Sequence, residues 1–325
     1  MFRMRSTVIK VLLMCLFSLV FVLSIQAHEE EAILLKFTPK VGDEYSSAAL
    51  LVLRADYTED GKKEEFYSTV GVGFNIRFIE IDTDGIGTGV LSYNMLKVCM
   101  PGPFSGTIYY DSTDPFMPVP REAKLPAILL GEEMMVKTDS KFNIIEYCDF
   151  EDFVERILRR WYSQSEYTVE EQASELSPED LAIMKHQITT VLAGFKENSN
   201  PMSYYPDRPV RVGDSWVTKL QKENNGLFIE LEIVSTLTER TNGIAVIKEE
   251  GSVTMDGLAL PGEAADHIQL ETVEYYGTVR IREDNGFRVT QESKLRVAFK
   301  TDDGSLYVNL EMEATEKSLA CEAAW

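Results

Sequence analysis

Apolar and polar residues alternate with period two through most of the C-terminal half of this chain. In "VEYYGTVRI", Val273, Tyr275, Gly277, Val279 and Ile281 fall on one face, and Glu274, Tyr276, Thr278 and Arg280 on the other. "LYVNLEMEA" repeats the pattern, with Leu306, Val308, Leu310 and Met312 against Tyr307, Asn309, Glu311 and Glu313. "FIELEI" and "LRVAFK" continue it. Such alternation predicts antiparallel strands with one buried and one wet face. Turn signals separate the runs: Asn224-Asn225-Gly226, Asn242-Gly243, Asp284-Asn285-Gly286 and Asp302-Asp303-Gly304. These residues accept the positive φ values of tight hairpins.

The N-terminal half carries the same pattern less cleanly. "YSTVGVGFNIRFIEID" puts Val72, Phe74, Ile76 and Phe78 on one face, and Asp84-Gly85 then turns the chain into "GTGVLSYNMLKV". The proline-rich stretch from Pro101 to Pro126 predicts loops, and "EEMMVKTDSKFNIIEY" a hairpin turning near Asp139-Ser140.

Between the halves the period changes to helical. Phe150, Phe153, Val154, Ile157, Leu158 and Trp161 recur at helical spacing behind Asp149, a natural cap. A second helix is expected from Ser177 and Pro178 onward, with Leu181, Met184, Ile188, Val191, Leu192 and Phe195 as its apolar stripe. The fold class expected is therefore α+β: two antiparallel β meanders curling into an open or half barrel, with a central helical segment. The expected division is 1–27, 28–148, 149–200 and 201–325, the middle two boundaries framing the helices.

Residues 1–27 read as a signal peptide. Arg3, Arg5 and Lys10 precede an apolar run from Val11 to Ile25, and Ala27 offers a cleavage point before "HEEEA". A retained anchor is the alternative, though the run is short of the roughly 20 residues a span needs. Met14 before Cys15 excludes a lipoprotein signal. Cleavage removes three basic groups and no acidic one, taking the formal charge from −21 to −24. Such acidity disfavours nucleic acid and anionic membrane surfaces as partners. The expected location is periplasmic or extracellular. Three cysteines remain, Cys99, Cys148 and Cys321, and the expected disulfide is Cys99–Cys148.

One phrase occurs twice. "FTPKVGDEY" and "RPVRVGDSW" each carry a proline, then Val-Gly-Asp, one residue, and an aromatic: Val41, Gly42, Asp43 and Tyr45, then Val212, Gly213, Asp214 and Trp216. The offset is 171 residues here, 158 at the Asp84-Gly85 and Asn242-Gly243 turns, and 145 from Phe142 to Phe287. Order is kept while the offset shrinks. An internal duplication explains this, and so does the general likeness of β meanders. A structural turn is the expected role of the motif. Glycine supplies the backbone conformation, aspartate bonds nearby backbone, and the aromatic anchors a strand.

This repeated motif, in an exported β-rich chain, resembles an uncharacterised family of bacterial secreted proteins catalogued as a domain of unknown function. The resemblance covers most of the mature chain and implies no activity and no catalytic residues. More loosely, the pattern is similar to the half-barrels of periplasmic lipoprotein and lipid carriers.

Catalytic signatures are lacking. His28, His186 and His267 sit in no metal-binding spacing, and no CxxC occurs. "GVGFNI", with Gly71 and Gly73, lacks a third glycine and fits sheet curvature. "DTDGIGTG" lacks the terminal glutamate of a calcium loop. The pairs Tyr109-Tyr110, Tyr204-Tyr205 and Tyr275-Tyr276 would place one ring inward and one outward in a strand. No metal, cofactor or catalytic residue is expected. The function expected is a non-enzymatic binding module for an apolar small molecule or lipid. The alternative is a structural or interaction protein of the cell envelope, meeting another envelope protein without a small-molecule ligand.

Overall fold

The computed structural model describes residues 31–59, 61–101, 106–163, 182, 186, 188–189, 205–224, 227–256, 268–301 and 306–318. Twelve strands run in chain order: β1 (Glu44–Glu59), β2 (Lys62–Ile81), β3 (Gly87–Pro101), β4 (Thr107–Asp111), β5 (Glu133–Thr138), β6 (Ile144–Tyr147), β7 (Ser215–Asn224), β8 (Leu227–Thr241), β9 (Ile244–Asp256), β10 (Ile268–Arg282), β11 (Arg288–Thr301) and β12 (Leu306–Ser318). They form one antiparallel sheet in the order β6-β5-β3-β2-β1-β12-β11-β10-β9-β8-β7, with β4 paired to β3.

The two halves thus share one sheet, joined where β1 pairs with β12 from Ser47↔Ser318 to Glu59↔Leu306. Each half contributes a meander of five strands in chain order, β1-β2-β3-β5-β6 and β7-β8-β9-β10-β11, and β12 lies between them. The hairpin turns fall where alternation breaks. Asn242 and Gly243, at φ +54° and +74°, link β8 to β9, and Gly85 at +81° turns β2 into β3. The stretch expected as loops holds a short strand, β4. Its Tyr110 is buried while Tyr109 is exposed, the same inward-outward split seen at Tyr275 and Tyr276.

Helix is scarce among the described residues. A 3-10 turn at Arg121–Ala123 leads into α1 (Lys124–Ile128), and α2 spans Phe150–Ser163. The α2 stripe is buried as its spacing predicts: Phe153, Val154, Ile157 and Leu158 are at most 5% exposed. Asp149 does more than precede the helix. Its Oδ1 accepts the Met135 N–H of β5 at 2.8 Å, and Arg160 Nη1 donates to Leu130 O at 2.9 Å, so α2 is tied to β5 at its start and to the connection between α1 and β5 near its end. Of the second expected helix, Ala182, His186, Ile188 and Thr189 are helical, and Ile188 is in the core. The rest of it, the leader, His28, His267 and Cys321 lie outside the described residues. The described residues are mostly antiparallel strand, as the β-rich part of the expected class requires. No helix among the described residues is long and apolar enough to cross a membrane.

Residues opposite one another on antiparallel strands share a face. The row Val136–Gly89–Phe78 crosses β5, β3 and β2, and Val279–Ile247–Leu237 crosses β10, β9 and β8. The large side chains of both rows are at most 1% exposed and belong to one core cluster. The sheet is rolled around that core. Phe142, in the β5–β6 turn, and Phe287, before β11, have ring centroids 6.1 Å apart. Six strand intervals separate these turns, so a flat sheet would hold them roughly 29 Å apart.

An N-terminal segment, residues 31–43, spans the roll. Ile33 exchanges two backbone hydrogen bonds with Val210 just before β7, Phe37 N–H donates to Ser140 O, and Thr38 N–H donates to Asn285 O. Phe37 sits at the centre, with ring centroids 4.7 Å from Phe142, 5.4 Å from Tyr45, 5.6 Å from Phe78 and 6.2 Å from Phe287. Gly286 is required beneath this crossing, because a Cβ there would lie 1.9 Å from Lys36 O.

The expected Cys99–Cys148 disulfide is not formed: both are free cysteines. Cys99 lies near the far end of β3, opposite Thr69 and Tyr109. Cys148 N–H bonds Met135 O, and Met135 pairs with Val90. Val90 and Cys99 are nine residues apart on one strand, roughly 30 Å at the strand rise, far beyond the Cα separation of a disulfide.

Phe37→Ala is expected to cost about 3–5 kcal/mol in chemical denaturation, as for a buried aromatic whose neighbours cannot collapse on the gap. Phe116→Ala, at a ring 93% exposed, should change stability by less than about 0.5 kcal/mol.

Candidate functional site

The two Val-Gly-Asp phrases build the same turn. In the first, Gly42 at φ +91° donates its N–H to Phe78 O at 2.8 Å, Asp43 N–H donates to Lys40 O at 3.0 Å, and Phe78 N–H donates to Asp43 O at 2.9 Å. In the second, Gly213 at φ +93° donates to Leu237 O at 2.8 Å, Asp214 to Arg211 O at 2.9 Å, and Leu237 to Asp214 O at 3.0 Å. The carboxylates match as well. Asp43 Oδ2 accepts Lys40 N–H, and Asp214 Oδ2 accepts Arg211 N–H, each at 2.9 Å. Val41 and Val212 are exposed, while Tyr45 is buried and Trp216 packs against the core.

The aspartates therefore spend their acceptors on the turn and on a neighbour. Asp43 also takes the Tyr45 hydroxyl at 2.9 Å, and burial followed by this bond pushes the Tyr45 phenol well above its ordinary value. The Arg211 N–H, then Arg208, holds Asp214 below the usual carboxylate range. Each motif starts the first strand of its meander and ties it to the second.

Chemistry gathers elsewhere, on the inner face. Inward positions of β9 run Ala245, Ile247, Glu249, and the first two are fully buried. Glu249 continues this apolar phase and is 2% exposed. It lies opposite Ser235 of β8 and Gly277 of β10. Its Oε2 accepts the Tyr275 hydroxyl at 2.9 Å, and its Oε1 the Ser235 hydroxyl at 3.4 Å. Gly277 makes room, since a Cβ there would lie 2.7 Å from Oε2. Burial pushes the Glu249 carboxyl up to about 7, against the pull of the two hydroxyls and of Arg288.

The polar island extends to the seam between the halves. Arg288 Nη2 meets Glu316 Oε2 at 2.5 Å, and Arg288 Nη1 donates to Gln291 Oε1 at 2.8 Å. Ser47 Oγ donates to Glu316 Oε1 at 2.7 Å, which joins β1 to β12 and, through Arg288, to β11. Tyr205 covers this end: it is buried, and its hydroxyl donates to Gly286 O at 2.6 Å. The sequence reading missed the island. The available signal was a polar residue in an apolar phase: Glu249 after Ala245 and Ile247, Glu316 after Met312 and Ala314, and Ser47 between Tyr45 and Ala49.

The inner face is otherwise apolar. Past the buried rows, Leu53, Met312 and Leu295 lie opposite one another across β1, β12 and β11, all half-buried. In the adjacent row Leu51 is 37% exposed beside Ala314 and Ser293. The outer face is wet and charged, with Lys294 between Glu311 and Glu313, and Lys219 on Glu232 at 2.7 Å. Among the described residues no group of three His, Cys, Asp or Glu side chains is placed to hold a metal ion.

The model of DUF6263, a family of unknown function, matches residues 92–279. No curated protein matches the chain significantly. Among solved structures, OccK7 (OpdD) of Pseudomonas aeruginosa is 8% identical with a TM-score of 0.22, covering 86% of this chain and 100% of that one. The attachment invasion locus protein Ail of Yersinia pestis is 8% identical with a TM-score of 0.13, covering 85% and 99%. A DUF1329 family protein from Desulfovibrio piger is 7% identical with a TM-score of 0.14, covering 87% and 89%. Likenesses this weak carry no argument about fold or role.

Gly42→Ala and Gly213→Ala each place a side chain at positive φ in open space, so the cost is conformational, about 1–2 kcal/mol apiece. In urea denaturation the two losses should add in the double variant, as for independent structural turns. No loss in either variant would contradict the structural role.

Proposed function

This chain belongs to the DUF6263 family of unknown function, and we propose that it is an exported, non-enzymatic binding module that takes an apolar small molecule or lipid on the inner face of its rolled sheet. The observation that carries this reading is the run of apolar side chains that continues past the buried core. Leu51, Leu53, Leu295 and Met312 face the inside of the roll yet keep contact with water. Covering such surface is worth roughly 25 cal/mol per Å2, and an apolar chain laid along the strands would gain it. Export rests on the leader pattern of residues 1–27. The acidic, ion-paired outer face suits a soluble carrier and disfavours nucleic acid as a partner.

The matched turns and meanders support an origin by internal duplication. Phe142 and Phe287, equivalent in the two halves, meet on Phe37 in the finished fold.

A second reading has one observation behind it. On the outer face Val217 and Val234 are paired across β7 and β8 and exposed at 55% and 39%, with Tyr276 exposed on the same face. That patch fits an interaction protein of the cell envelope that meets another envelope protein.

Native mass spectrometry of the chain from His28, purified after export, separates the two. Bound mass that leaves on organic extraction is the expected result. An unchanged mass before and after extraction, and after incubation with fatty acid and phospholipid, would remove the carrier reading and favour the outer patch.

A further inference from the structure

The row that contains Glu249 crosses six strands of the inner face. Register places Ser235, Glu249, Gly277, Ser293, Ala314 and Leu51 side by side across β8, β9, β10, β11, β12 and β1. Beside buried Ser235 is a carboxyl 2% exposed, then come small side chains, and beyond them a leucine 37% exposed. The carboxyl lies over Gly277, sharing the space left by the missing side chain with the Tyr275 hydroxyl that bonds it.

Both hydrogen-bond partners of Glu249 are hydroxyls, Ser235 from β8 and Tyr275 from β10. The charged group that acts on it from β11 is Arg288, which is engaged by Glu316 and Gln291. An apolar chain lying on Ser293, Ala314 and Leu51 would strip remaining water from the row. An ionised carboxylate would lose hydration there while Arg288 is held by Glu316 and Gln291, whereas a protonated one would lose little. The protonated form also keeps its bonds: it accepts from Tyr275 and can donate to Ser235 Oγ.

We propose that the inner face takes up its apolar ligand together with a proton on Glu249. The inference rests on the reading of that face as the ligand site. Its sign follows from burial. The carboxyl is raised from 4.5 to about 7 in the folded chain. The stability of the protonated form is thus fully present below the unfolded value and is lost as pH rises through about 7. Ligand binding, which favours the same protonated form, weakens over the range above about 7.

N-phenyl-1-naphthylamine, a neutral apolar fluorophore, is the probe, titrated into the mature chain, Glu249→Gln and Tyr275→Phe. Between about pH 6 and about pH 8.5 the wild-type dissociation constant should rise roughly 30-fold, the inverse of the protonated fraction. Glu249→Gln should bind equally at both. Tyr275→Phe, which removes a donor to the carboxylate, should move the midpoint to higher pH. A flat wild-type profile, or an equal fall in Glu249→Gln, would overturn the coupling while leaving the carrier reading intact. Failure of the probe to bind any variant at either pH would overturn both. Thermal unfolding then reports on the carboxyl alone: Glu249→Gln should gain Tm over wild type at about pH 8.5 but not at about pH 5.

Discussion

The fold depends on Phe37. Its ring is where the start of β1, the end of β2, the β5–β6 turn and the β10–β11 turn meet, and these lie far apart along the sheet. A twelve-stranded antiparallel sheet has no intrinsic reason to bring β5 and β10, six strand intervals apart, together. Twist alone coils a sheet, but a fixed curvature needs something to grip both flanks. The segment before β1 provides the grip, with backbone hydrogen bonds to Ser140, Asn285 and Val210 on either side of the phenylalanine. Its close passage over Gly286 leaves no space for a side chain there.

Rolling gives the sheet an inside, and the inside has two zones. Near the Phe37 end, large apolar residues and the inward face of α2 form one buried cluster. Away from it, across β11, β12 and β1, the inward leucines are only partly covered. Between the zones lies the polar island. Ser47, Glu316 and Arg288 tie the seam at which the two meanders join, and Glu249 with Tyr275 continues the island across β9 and β10. A buried carboxyl among aliphatic neighbours is costly unless protonated or well bonded. Its presence on the face that also carries the open leucines links the electrostatics of the chain to its proposed role.

Much of the architecture was legible in the sequence. Alternation in "VEYYGTVRI" and "YSTVGVGFNIRFIEID" gave the inner face of β10 and β2 residue by residue, and the glycine turns gave the hairpins. The repeated Val-Gly-Asp phrase pointed to a repeated turn, and the structure builds the two with matching hydrogen bonds. What the sequence could not show was long-range. The pairing of β1 with β12 joins residues some 270 positions apart, and nothing local specifies it. The role of Phe37 was hidden because it stands in a segment with little regular structure of its own. The expected Cys99–Cys148 bond failed because compartment and count say nothing of where a strand carries each thiol. Glu249 was overlooked because strand patterning treats a single glutamate as surface, although its phase with Ala245 and Ile247 marked it as interior.

The central claim is that the inner face, and not the outer one, is the binding surface. Methyl-resolved NMR of the mature chain with and without N-phenyl-1-naphthylamine addresses it directly, because leucine and valine methyls sample both faces. The account predicts that the shifts move at Leu51, Leu53 and Leu295 and stay fixed at Leu50, Val217 and Val234. Movement confined to the outer set would contradict it.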